Sequence, residues 1–153
     1  MLGVALVLHV LATVVWVGGM FFAHQCLRPA AVAVLEPPHR LRLWRDTFGH
    51  FFPWVWACVV VILGTGLWMM FRTFGGFQAP PYVHVMFGVG LLMMAIFMHV
   101  FFAPYRRLIR AVEAQDWQAG GRALAQIRTL VGINLVLGLT VTAVAVGGPH
   151  YLA

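Results

Sequence analysis

Two apolar stretches each carry a pair of histidines fifteen residues apart, His9 with His24 and His84 with His99. An imidazole inside lipid is costly and is usually retained for function. At a rise of about 1.5 Å per residue the members of each pair lie roughly 22 Å apart along a helix, and fifteen steps of about 100° leave them within roughly 60° of one stripe. If the two helices run in the same direction, His9 meets the level of His84 and His24 that of His99. Two levels of facing imidazoles suit axial ligation of haem iron, one site near each membrane face. Arg72 is the candidate propionate partner for the outer haem, and Arg45, Arg106 and Arg107 are candidates for the inner one.

A second chemistry competes for the same side chains. Thioethers and imidazoles hold Cu(I), and the chain has eight methionines. Met94 and Met98 share a helix face beside His99, Met69 and Met70 close one apolar run, Met20 lies in the first, and Met86 follows His84. No repeated Met-x-x-Met box occurs, and methionine is also common as adaptable packing. His50 reads as a rim residue, and His39 and His150 as solvated. No nucleophile–base set, phosphate loop or buried carboxylate pair is present. Asn134, Thr140 and Thr142 read as interhelical hydrogen-bonding groups.

The elements that must position these residues are four apolar runs, about 2–27, 51–71, 82–102 and 129–146, in 153 residues of which 62% are hydrophobic and 9% charged. An average soluble domain is about 25% charged, and each run has roughly the length that crosses a ~30 Å hydrocarbon core. The net charge is +6 and all ten basic residues are arginine. Nine of them fall in the segments after the first and third runs, against Arg72 alone in the segment after the second. That is a positive-inside pattern rather than a nucleic-acid surface, and it puts both termini outside. The first run lacks a basic leader and a cleavage site, so it reads as a retained helix. On the cytoplasmic side, 39–50 reads as a short amphipathic helix in the headgroup region, 105–114 as a continuation of the third helix beyond the bilayer, and Asp116 as the N-cap of an amphipathic approach to the fourth; Pro53 reads as a first-turn proline of the second helix. Cys26 and Cys58 read as reduced. The expected fold is all-α, a single-domain four-transmembrane-helix up-down bundle over 1–153. Ligand sites would lie in its core, with the first and third helices diagonal.

Leu8-His9-Val10 with Val15-Trp16-Val17-Gly18-Gly19 resembles the first helix of the CopD family of small membrane proteins and of the related HemJ family of haem-containing protoporphyrinogen oxidases. Val83-His84-Val85, Gly64-Thr65-Gly66-Leu67-Trp68 and Ala103-Pro104-Tyr105-Arg106-Arg107-Leu108 resemble CopD stretches as well. The resemblance implies a four-helix membrane fold, an association with copper resistance or transport, and, through HemJ, haem b at His9 and His84. Met86 stands where HemJ proteins tend to carry a lysine, which argues against porphyrinogen oxidation. The leading expectation is thus a b-type haem protein of the bacterial inner membrane with periplasmic termini. It would hold one or two haems through His9, His84, His24 and His99, with electron transfer to or from quinone, superoxide or a periplasmic redox protein. The alternatives are a copper transport or resistance protein using His and Met ligands, and a non-redox scaffold subunit. The lipid bilayer is the expected partner, nucleic acid is not, and the glycines offer a face for a homodimer.

Overall fold

A computed structural model describes residues 1–151, and those residues form helices joined by short turns, with no strand among them. The last two residues of the expected domain lie outside the described ones. Four helices are each long and apolar enough to cross a membrane: α1 (Leu2–Val34), α2 (Pro37–Arg72), α3 (Pro81–Glu113) and α4 (Trp117–Tyr151).

Local sequence explains where they stop. Pro37 and Pro81 open α2 and α3, where a missing N–H costs nothing. The α2–α3 turn uses Gly75 and Gly76 at φ of 78° and 68°, a left-handed conformation open to residues without Cβ. Asp116 caps α4, its Oδ1 accepting from the Ala119 N–H at 3.0 Å. Two expected boundaries move. Segment 39–50 is the first third of α2 rather than a separate piece, so Pro53 lies well inside that helix instead of in its first turn. The approach capped by Asp116, as expected, is continuous with the fourth helix, so α4 begins at Trp117 rather than near 129. Hydropathy marks where lipid begins, whereas a helix continues until something breaks it. In α3 the break comes at Ala103 (φ −116°, ψ −86°), pushed out of the helical region by Pro104, and the helix resumes over Pro104–Glu113.

Neighbouring helices run antiparallel. Along α1, His9 meets Gly66 and Gly19 meets Phe51 of α2, while Val17 meets Gly138 and His24 meets Gly132 of α4. Tyr82 of α3 packs on Gly148 of α4, and Trp56 of α2 meets Phe97 and Phe101 of α3 edge-to-face. Helices α1 and α3 are therefore parallel, as the charge pattern requires, and diagonal, as an up-down bundle requires.

The two halves of the bundle are filled differently. Towards the arginine-rich end the core is aromatic: Phe48, Phe52, Phe97 and Tyr105 pack edge-to-face and stacked, with centroids 4.8–6.1 Å apart. Such pairs add about 0.5–1.5 kcal/mol each beyond burial, which matters where lipid removes the hydrophobic drive between helices. They leave a cavity of only about 30 Å³, beside Asn134. In the other half no side chain is buried among residues 2–11, 60–68, 81–92 and 139–147. Beyond that layer the end closes again on buried Met69, Met70, Ala79 and Gly148.

Candidate metal site

His9 is the histidine that α1 turns into the bundle. It shares a helix face with the buried Ala12, Trp16 and Met20 and is itself half-buried. Its Nδ1 lies 2.9 Å from Thr65 Oγ1 on α2. The Thr65 hydroxyl hydrogen is committed to the Val61 carbonyl at 2.6 Å. Thr65 must then accept, so Nδ1 carries the ring proton and Nε2 presents a free lone pair. Metal-ligating histidines are commonly held this way, with the second nitrogen fixing tautomer and ring orientation. Gly66 makes room for the ring: a Cβ there would stand 3.3 Å from His9 Cε1.

Heights can be read from one shared contact. A Cβ on Gly138 would touch both Val17 and Met93, which puts those two residues at one level. His9 is eight residues above Val17, His84 nine and Met86 seven above Met93, so all three agree in height to about 3 Å. Their directions do not agree. On α3 the buried face is Met93, Met94, Phe97 and Val100. Helical spacing puts Met86 within about 20° of Phe97 but His84 about 140° away. Met86 is accordingly half-buried, and His84 is exposed on the outer face of α3 together with Gly88 and Ala95.

The second expected pair is separated in the same manner. His99 is exposed, about 160° from the Phe97 direction. His24 lies in a π-helical turn, Phe22–Leu27. Pro29 offers the Gln25 carbonyl no N–H, and the widened turn lets the Arg28 N–H reach back to Ala23. That turn aims His24 at α4, where a Cβ on Gly132 would stand 3.1 Å from its Nε2. Aromatic rings occupy the centre of the bundle nearby.

Of the four expected propionate partners, Arg45, Arg106 and Arg107 have other contacts. Arg72 is exposed at the end of α2 and makes no hydrogen bond or ion pair among the described residues. Arg45 pairs with Asp46 at 2.7 Å, a contact that holds the Asp46 carboxyl below the usual carboxylate range. Arg107 donates to Gln126 at 2.7 Å, and Arg106 lies 5.2 Å over the Phe102 ring. His39, His50 and His150 are exposed, with His50 Nδ1 donating to the Asp46 carbonyl at 2.8 Å. Cys26 and Cys58 are both free thiols.

Six of the eight methionines are interior: Met20, Met69, Met70, Met93 and Met94 are buried and Met86 half-buried. Met98 is exposed, so it does not share the buried setting of Met94. Among the described residues no three His, Cys, Asp or Glu side chains come together as metal ligands. The inward donors of the underfilled half are thus one imidazole and thioethers. Thr65 is the participant that residue types alone did not mark; a lone hydroxyl between two glycines inside an apolar helix was the available signal.

A family model described as copper resistance protein D matches residues 45–147, which takes in α2 from Arg45, α3 and most of α4. No curated protein and no solved structure matches the chain.

Proposed function

The chain belongs to the copper resistance protein D family, and on that premise we propose that it binds Cu(I) as cargo inside the membrane, through His9 Nε2 and the Met86 thioether. The observation that carries this reading is the His9–Thr65 hydrogen bond, which leaves the Nε2 lone pair free on a half-buried ring. Met86 supports it as the inward-facing donor at the same height. The donor set is neutral and soft, and no Asp or Glu lies in the four apolar runs. A monovalent soft cation suits thioether and imidazole ligands, and a divalent hard one does not. The arginine bias supports an orientation with both helix-bundle termini on the periplasmic side of a bacterial inner membrane.

The test is an anaerobic Cu(I) titration of purified protein in detergent against a chromophoric chelator. About one equivalent binds, and His9→Ala and Met86→Ala each lower the affinity at least tenfold. An affinity indifferent to both substitutions overturns the reading.

A second reading, haem b in the same layer for membrane electron transfer, is favoured by one observation. No side chain there is buried, and Gly90, on the inward side of α3, has no atom within 4 Å of where a Cβ would be. His9 Nε2 would be an axial ligand; His84 faces away, and the aromatic filling leaves no room for a second macrocycle. Haem would supply one-electron chemistry towards quinone, superoxide or a periplasmic redox protein. A Soret band in the isolated protein that disappears with His9→Ala supports this reading against the copper one.

A further inference from the structure

The arginine-rich end holds a cavity that the copper reading does not use. It measures about 250 Å³ and lies between the π turn of α1 and the first turns of α2 and α4. Its polar lining is Arg28, Arg40, Arg128 and His24, drawn from three helices. Arg28 and Arg40 are half-buried, and Arg128 is exposed at the mouth of the cavity. No carboxylate lines the cavity. None of the three guanidiniums forms an ion pair or side-chain hydrogen bond among the described residues, whose one ion pair is Arg45–Asp46. Three cations around one cavity repel one another, and an anion among them offsets that repulsion.

The rest of the lining is apolar. Trp44 and Trp117 form walls at the depth where interfacial tryptophans sit. Ala23, Phe48 and Val131 line both this cavity and the small apolar one deeper in the bundle, so its floor opens towards hydrocarbon depth. The volume falls below the roughly 300–1,000 Å³ of sites for drug-sized ligands, and matches a headgroup rather than a whole amphiphile.

We propose that this cavity holds the phosphate headgroup of an anionic phospholipid, with Arg28, Arg40 and Arg128 as its cationic ligands. Basic pockets between helices at a membrane face recognise headgroups of this kind. Arginine is suited to it because its planar fork donates to two phosphate oxygens at once. The lipid joins α1, α2 and α4 across the π turn, where the chain's own packing is open. The site is independent of copper or haem, so the failure of one proposal leaves the other standing.

The experiment is native mass spectrometry of full-length, delipidated protein in neutral detergent, titrated separately with dioleoyl phosphatidylglycerol, dioleoyl phosphatidylcholine and inorganic phosphate. One phosphatidylglycerol binds at least tenfold more tightly than phosphatidylcholine, and the Arg28→Gln/Arg40→Gln double variant loses that preference. Gly121→Leu abolishes it as well without altering charge, because a Cβ at this pocket-lining position meets nothing within 4 Å and the larger side chain enters the cavity. Arg110→Gln leaves binding unchanged, since that guanidinium is exposed on α3, which does not line the cavity. Phosphatidylglycerol binding that survives both the double variant and Gly121→Leu refutes the proposal. Inorganic phosphate displacing the lipid at equal concentration assigns the cavity to a soluble anion and overturns the lipid assignment.

Discussion

Replacing Thr65 by valine removes one hydroxyl from the metal site and leaves its shape nearly unchanged. In the native chain that hydroxyl gives its hydrogen to the Val61 carbonyl at 2.6 Å and accepts from His9 Nδ1 at 2.9 Å. Valine cannot accept. The imidazole then either keeps an unpaired N–H, at about 1–3 kcal/mol, or turns away or moves its proton to Nε2. The last outcome blocks the ligating lone pair outright. Loss of such an outer partner typically lowers metal affinity about 10–100-fold, which is about 1.4–2.8 kcal/mol. The Cu(I) titration should therefore show a 10–100-fold weaker complex for Thr65→Val and near-native affinity for Thr65→Ser, which keeps the acceptor. Equal affinity for Thr65→Val and native protein would mean that His9 is not oriented through Thr65, and the argument from tautomer would fail.

Three further outcomes follow from packing and charge. Gly138→Leu should destabilise the bundle by about 1–3 kcal/mol in a denaturation series, because its Cβ alone would meet Val17 Cγ2 at 2.8 Å and Met93 Cε at 3.2 Å; Gly88→Leu, at a position with nothing within 4 Å, should not. Asn134→Leu should change stability by less than about 1 kcal/mol, since Nδ2 donates to the Met93 carbonyl at 3.2 Å but the buried Oδ1 has no partner; a loss above about 2 kcal/mol would mean that the amide is fully bonded. Asp46 is held below the usual carboxylate range first by its hydrogen bond from Arg45. Its small stabilisation is thus present at neutral pH and lost as pH falls through the depressed folded value, and Asp46→Asn should flatten only that acid limb of a thermal-stability profile.

Architecture was legible because membrane spans are written in composition. Four apolar runs and the nine-to-one placement of arginine gave the helix number and the parallel run of α1 and α3, and the up-down bundle their diagonal placement, which the contacts at Gly66, Gly132 and Gly148 reproduce. Helix ends were less legible, because segments 39–50 and 117–128 change polarity without breaking the helix. The site was half legible. Fifteen-residue spacing fixes two histidines to a stripe of their own helix and gives their depths. It says nothing about which way the stripe faces, which depends on packing between helices. On α3 the large apolar residues Met93, Phe97 and Val100 claimed the core face, and that turned His84 and His99 outward. On α1 the π turn at Phe22–Leu27 changed the angle per residue, so the stripe through His9 did not continue to His24. Arginines read as topology charges hid the pocket of Arg28, Arg40 and Arg128, because convergence from three helices is a tertiary property.

The central claim is that a soft, neutral donor pair from diagonal helices binds copper in the underfilled half of the bundle. X-ray absorption at the copper edge of anaerobically Cu(I)-loaded protein tests it most directly. The account predicts at least one nitrogen and one sulfur scatterer, with the nitrogen lost in His9→Ala and the sulfur lost in Met86→Ala. A copper environment that neither substitution alters would contradict it.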